Sequence, residues 1–328
     1  GLRGVYGYMA DLTTEPRWFR AHETFTEDAD LISDIITALL RGLQGAVGSD
    51  GQPLSPQSRV AMTIKHFPGG GPQEMGFDPH YTFGKHQLYL DQTGRYGFGY
   101  HLRPFKAAIA GGAASIMPYY GVPINLTYDG VRYDERGMAF SKQIVTDLLR
   151  RKLGFKGYVN SDSGVIETRG WGLESYRTNP ETGKPYTPSD RIVTAIRSGT
   201  DVLSEFSDAS KITDLVKSGR LDERADIDPA VLRLLVEQFR LGLFENPYVD
   251  ASAAAGRIGS EANRAIGMDI QRRSVVLLQN RNKLLPLRPG AKVYVLGFKA
   301  EDVRSYGFNV TDGNSVGTAV PSGTDAVL

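Results

Sequence analysis

Cysteine is absent from the 328-residue sequence. Disulfides, thiolate metal sites and cysteine nucleophiles are therefore excluded, while the compartment stays open because a disulfide-free chain suits either side of a membrane. Charge of either sign is not in excess: 38 Lys plus Arg stand against 37 Asp plus Glu, scattered along the chain. That balance argues against a nucleic-acid or anionic-membrane surface and for a small neutral partner. No apolar run approaches the roughly 20 residues of a membrane span. The start, "GLRGVYGYMADL", has neither an initiator Met nor a basic-then-apolar leader and reads as already inside folded structure, so a truncated chain is expected. Two sequons, at Asn125 and Asn309, would matter only in a eukaryotic secretory pathway and are taken as chance.

What is present is an alternation. Short apolar runs at 5–11, 60–67, 113–120, 157–162 and 200–204 are separated by amphipathic stretches such as "DADLISDIITALLRGLQG", "SKQIVTDLLRRKLG" and "SDRIVTAIRSG". Strand, helix, strand, helix implies a parallel sheet covered by helices. Several helices open at Ser or Asp and close at Gly, as capping requires. Each strand ends in polar or aromatic residues: Asp11, Lys65-His66, Tyr119-Tyr120, Asp162 and Ser204-Glu205. Reactive groups spread over successive strand ends favour a (β/α)8 TIM-type barrel over a doubly wound sheet with one crevice. The expected organisation is a barrel domain over 1–244, a linker and bridging helix over 245–288, and the start of a second α/β sandwich domain over 289–328.

The densest polar segment, "KHFPGGGPQEMGFDPHYTFGKHQ" at 65–87, holds three of the five histidines. A metal site from His66, Glu74, Asp78, His80 and His86 lacks a spacing that sets two ligands on one helix face. A phosphate cradle would need a helix opening straight after the glycines. A solvated surface loop and a sugar-binding or catalytic loop remain. Asp162, flanked by Ser161 and Ser163, reads equally as a turn or cap residue and as a reactive carboxylate.

Five segments in order, "PRWFRAHETFTED", "IKHFPGGG", "GYVNSD", "FRLGLFENPYVD" and "SVVLLQNRNKLLPL", resemble glycoside hydrolase family 3, the β-glucosidase and β-xylosidase family, over nearly the whole chain. The resemblance implies that Asp162 is the nucleophile, that Arg20, Lys65 and His66 bind sugar hydroxyls, and that Tyr120 lies close to the nucleophile with Met117 beside the sugar. A retaining glycosidase needs a carboxylate under the anomeric carbon and a second proton-transfer group roughly 5 to 5.5 Å away. Lys65 and Arg20 would favour the ionised nucleophile. For the proton donor, the first expectation is a Glu on a second domain, beyond the end of this chain. The second is an Asp-x-His dyad, here Asp78-Pro79-His80, two residues later than the dyad spacing of the family's β-N-acetylglucosaminidases.

The sequence departs from the pattern in places. Ser163 follows the nucleophile where many relatives carry Trp, Phe19 replaces the Gly of a "PRWGR"-like motif, and Trp171 is either an aromatic wall or packing, while Trp18 reads as structural. The family's first two strands have no counterpart upstream of Gly1, so whether this chain is active by itself is left open. The expected function is an exo-acting retaining β-glucosidase without cofactor or metal, acting on β-linked oligosaccharides or glycosides. The alternatives are β-xylosidase, β-N-acetylglucosaminidase, a metal-dependent hydrolase and an inactive carbohydrate-binding fragment. Neither nucleic acid nor membrane insertion is expected, a homodimer is left open, and resemblance favours a periplasmic or secreted location.

Overall fold

The computed structural model describes residues 2–45, 59–89 and 96–289, and beyond them the strands Lys292–Tyr294, Asn309–Thr311 and Val316–Thr318. The chain divides into two compact units, Gly1–Tyr248 and Val249–Leu328.

In the first unit the strands Gly4–Val5, Ala61–Phe67, Ser115–Pro118 and Tyr158–Val159 form one sheet in chain order. Every pairing is parallel. Single bridges extend it, from Met9 to Lys65 and from Asn160 to Val202, so all five expected strand runs take part. Helices fill the crossovers, as parallel pairing demands. Ala29–Leu43 opens where the Asp28 carboxylate accepts the backbone N–H groups of Asp30 and Leu31 at 2.9 and 3.0 Å. Its buried residues, Ala29, Ile32, Ile36 and Leu40, recur at helical spacing along one stripe. Pro188–Ser198 begins with a reciprocal capping box between Thr187 and Asp190. Between sheet and helices the core includes Ile64, Phe67, Phe105, Ile116, Ile144, Leu148, Val159 and Ile192.

The sheet curves. Tyr6, beside the first strand, shares a hydroxyl hydrogen bond with Ser204, which follows the fifth run. Four spacings in a flat sheet would separate those runs by about 19 Å, beyond a tyrosine's reach. Ser204 is in turn bound to Ser161, its N–H donating to Ser161 Oγ at 2.9 Å and its hydroxyl to Ser161 O at 2.6 Å. A buried ion pair, Arg59 Nε to Glu237 Oε1 at 2.9 Å, holds the helix Asp228–Arg240 beside the start of the second strand.

In the second unit, helices Ala251–Arg257 and Glu261–Ser274 start at Asp250 and Ser260, each capping with its side chain. The second helix ends at Ser274, where β-branched Val275 and Val276 follow. Three antiparallel strands are ordered Asn309–Thr311, Val316–Thr318, Lys292–Tyr294. The strand Lys292–Tyr294 opens the apolar run "KVYVLGF" in the segment expected to begin a second α/β domain, and the rest of that run lies outside the described residues.

Candidate active site

Lys65 and His66 end the second strand, and a flat strand would send them to opposite faces. The register to the third strand slips between Lys65 and Phe67, a bulge that re-aims the pair. Asp11, fully buried at the end of the first run, ties His66 to the glycine turn. One of its oxygens accepts the His66 backbone N–H at 3.1 Å and the ring Nδ1–H at 2.8 Å, and the other accepts the Gly70 N–H. With Nδ1 committed to a carboxylate, Nε2 is the free ring atom, and it stands 3.5 Å from Asp162 Oδ2. The glycine turn has to be this bare: a Cβ on Gly71 would fall 1.8 Å from Leu12 O. Tyr119, its ring centroid 4.5 Å from that of His66, packs against the imidazole.

Asp162 sits at the end of the fourth run, only 8% exposed. Its Oδ1 accepts the Ser163 N–H at 2.8 Å. Its Oδ2 is buried without a hydrogen-bond partner, an arrangement that costs free energy unless a ligand uses it. Tyr120 donates its hydroxyl to Ser163 O at 2.5 Å. Burial, then the Asp162 charge, push this phenol far above its ordinary range, so it stays a hydrogen-bond donor. Glu205, an exposed residue in the left-handed backbone region at φ 61°, adds to that field.

Arg20 lies in a short helix, Phe19–Glu23. Two of its nitrogens grip Glu23, Nε at 3.0 Å and Nη2 at 2.8 Å, and the third, Nη1, is buried with no partner. Hydrogen bonds from Arg20 hold the Glu23 carboxyl below the usual carboxylate range against partial burial, with the charge of Lys65 assisting. Met117 is buried and is the strand partner of Lys65.

The Asp78-Pro79-His80 segment forms a hydrogen-bonded pair. Asp78 Oδ1 accepts both the ring Nδ1–H of His80 and its backbone N–H, the latter at 2.9 Å. Oδ2 accepts Trp18 Nε1–H at 2.6 Å and the Tyr119 hydroxyl at 2.8 Å. The His80 ring then stands edge-on to Tyr120, centroids 4.9 Å apart, which brings the pair next to the Asp162 cluster. Trp171 is buried and donates to Pro79 O at 2.8 Å, so of its two expected roles the structure selects packing. Glu74 and His86 pair at 2.9 Å on the exposed outer side of the loop. Among the described residues, no three or more His, Asp or Glu side chains gather as a metal site.

Burial alone would raise Asp78, but hydrogen bonds from His80 and Trp18 outweigh it and bring the carboxyl down to about 2. A folded value below the unfolded one means stability that is present above pH 4 or so and lost as pH falls toward 2. Asp78→Asn is expected to cost on the order of 2 kcal/mol at neutral pH. The melting temperature of the variant should then fall less steeply than the parent's between pH 4 and 2, and parallel curves would contradict this.

Sequence reasoning assigned no role to Asp11, Glu23 or Tyr119. Asp11 carried a signal, since it closes a strand run just as Asp162 does.

The proteins this chain is similar to cleave carbohydrates. It is 38% identical over 325 residues to a probable β-glucosidase C of Aspergillus oryzae, covering 95% of this chain and 47% of that protein. Against a periplasmic β-glucosidase/β-xylosidase of Dickeya chrysanthemi it is 35% identical over 321 residues, with the same two coverages of 95% and 47%. A β-glucosidase from Listeria innocua, solved with laminaribiose, superposes with a TM-score of 0.68 at 25% identity, over 88% of this chain and 36% of that one. Residues 1–236 match the Glycosyl hydrolase family 3 N terminal domain. The chain belongs to glycosyl hydrolase family 3, and it spans about 47% of the length of the curated relatives named here.

Proposed function

We propose that this chain carries the sugar-binding and nucleophile-bearing part of a retaining β-glycosidase that removes terminal β-D-glucosyl residues, with Asp162 attacking the anomeric carbon. The observation that carries the proposal is the buried, unpartnered Oδ2 of Asp162 facing His66 Nε2 at 3.5 Å. A nucleophile needs one oxygen held and the other free, and Ser163 holds the first. Arg20 offers its unpartnered Nη1 to a sugar hydroxyl, Lys65 its ammonium, and His66 its Nε2. Tyr120 donates towards the nucleophile side, and Met117 backs Lys65.

Attack forms an ester between Asp162 and the anomeric carbon as the glycosidic bond breaks, the leaving oxygen takes a proton, and water then hydrolyses the ester. Neither step requires a cofactor. Within Gly1–Tyr248, His80 suits the proton transfer: Asp78 holds its Nδ1–H and orients the ring, leaving Nε2 to face the substrate. A glutamate from the part of the relatives' length that this chain does not span is the family's other donor. The curved parallel sheet is read as an arc of a (β/α)8 barrel, with the site at its C-terminal strand ends, and this reading is supported by the Tyr6 to Ser204 bond. Glucose is favoured over xylose by the probable β-glucosidase C names of the Aspergillus relatives. The Dickeya and Salmonella names favour the periplasm.

The test is trapping. Incubation with an activated 2-deoxy-2-fluoro-β-glucoside should leave one fluoroglucosyl adduct on the peptide containing Asp162, read by mass spectrometry. Turnover of an aryl β-glucoside without any adduct would refute the covalent mechanism.

A further inference from the structure

Tyr119 has no role in the chemistry above, yet it touches both halves of the site, His66 beside Asp162 and the pair of Asp78 and His80. It follows the third strand, and its backbone N–H donates to Phe67 O at 3.0 Å. At 1% exposed it lies too deep for a substrate to reach. Its ring rests against the His66 imidazole, centroids 4.5 Å apart and planes tilted by 46°. Its hydroxyl donates to Asp78 Oδ2 at 2.8 Å. A buried ring needs no explanation beyond packing, and phenylalanine would pack as well. A buried hydroxyl costs free energy unless a partner takes its hydrogen bond, so the contact with Asp78 is what sets tyrosine apart here.

That partner is the carboxylate that orients His80. Asp78 Oδ1 takes both N–H groups of His80, ring and backbone, so the direction of the carboxylate sets the direction of the imidazole. The carboxylate is itself kept from turning by the two donors on Oδ2, Trp18 Nε1–H at 2.6 Å and the Tyr119 hydroxyl. Three segments of the chain therefore meet on one side chain. Trp18 and Tyr119 also meet edge-on, centroids 6.3 Å apart, which fixes the two donors relative to each other. Burial, then the Asp78 charge, raise the Tyr119 phenol well above its ordinary range, so it remains a donor.

The contact with His66 works through shape. Asp11 holds one edge of that imidazole, at Nδ1, and the Tyr119 ring covers it from another side. The tyrosine ring is in turn wedged against the glycine turn: a Cβ on Gly70 would fall 3.1 Å from Tyr119 Cε1 and 2.9 Å from Asp11 Oδ1. Turn, carboxylate and phenol thus form one packed unit around His66, and close packing of this kind resists rotation of the imidazole away from Asp162.

We propose that Tyr119 is a positioning residue that couples the two halves of the site, its ring holding His66 beside Asp162 and its hydroxyl holding Asp78 and His80 for proton transfer. This inference rests on the glycosidase reading above. Within it, the hydroxyl matters only where the leaving oxygen needs a proton, whereas the ring matters for every substrate. A dinitrophenolate departs without a proton. The oxygen of a second sugar does not.

The experiment compares Tyr119→Phe, which removes only the hydroxyl, with Tyr119→Leu, which removes the ring as well, in the full-length protein. The readouts are kcat/KM for a dinitrophenyl β-glucoside and for a β-linked glucose disaccharide, and the imidazole nitrogen shifts of His66 and His80 without substrate. Tyr119→Phe is expected to lower kcat/KM about tenfold for the disaccharide and less than about twofold for the dinitrophenyl glucoside, with the His80 shifts displaced and those of His66 unchanged. Tyr119→Leu should lower both values by about tenfold or more and displace both sets of shifts. Equal losses for the two substrates in Tyr119→Phe, or His80 shifts that stay in place in that variant, overturn the proposal, because packing alone would produce either result. A parent that turns over aryl glucoside but leaves no fluoroglucosyl adduct on Asp162 overturns the glycosidase reading instead, and displaced His80 shifts in Tyr119→Phe would then still sustain the positioning of His80 by Tyr119.

Discussion

Asp162→Asn is expected to lower kcat/KM for an aryl β-glucoside by a factor on the order of 10³ or more in the full-length protein. Asparagine matches the volume of aspartate and keeps an oxygen for the Ser163 N–H, so the strand end and the Ser161 to Ser204 contacts should persist. What is lost is the negative charge and the lone pair of Oδ2, the atom left unpartnered beside His66 and Tyr120. The variant should melt within a few degrees of the parent, and its peptide should carry no fluoroglucosyl adduct. Activity within a few-fold of the parent would remove Asp162 from the mechanism and return it to the alternative raised by its serine neighbours, a turn-forming side chain.

Asp11→Ala is expected to act in two ways at once. The carboxylate is fully buried and accepts three N–H groups, from the His66 backbone, the His66 ring and Gly70. Its removal leaves three buried donors without acceptors and should cost about 3 kcal/mol or more. Below the melting transition, kcat/KM should still fall by roughly 10²-fold, because His66 loses the bond that fixes its orientation and its tautomer. Asp11→Asn separates the two effects. It retains volume and one carbonyl acceptor, recovering part of the stability, yet offers an amide where the Nδ1–H needs an oxygen. The imidazole nitrogen shifts of His66 should therefore change in Asp11→Asn even where the melting temperature nearly recovers. Unchanged shifts, with activity tracking stability alone, would make Asp11 a purely structural residue.

How much of this was legible depends on range. The parallel α/β arrangement was, because apolar periodicity and capping are local. Ile32, Ile36 and Leu40 lie on one helix face by spacing alone, and Thr187 and Asp190 announce a helix start. The reactive candidates were legible too, since Asp162, His66 and Tyr120 all close strand runs. The division of labour among them was not. Asp11 and His66 are separated by 55 residues and meet only because parallel pairing stacks their strand ends. Glu23 looks like any helix-surface carboxylate until Arg20 turns onto it. The loop at 65–87 looked uniform in composition. Folding sorts it, with Asp78 and His80 against Tyr120 and with Glu74 and His86 turned out to solvent.

By itself, then, the sequence determined the alternating elements, the strand-end positions of Asp162 and the Lys65-His66 pair, and the family. Each of these resides in short-range preferences or in a motif read residue by residue. Only the tertiary structure decided that Asp11 holds His66, that Trp171 packs rather than walls the site, and that Tyr119 touches both His66 and Asp78. Those facts depend on contacts between distant segments, set by the register of parallel strands and the curvature of the sheet, and no local preference encodes them.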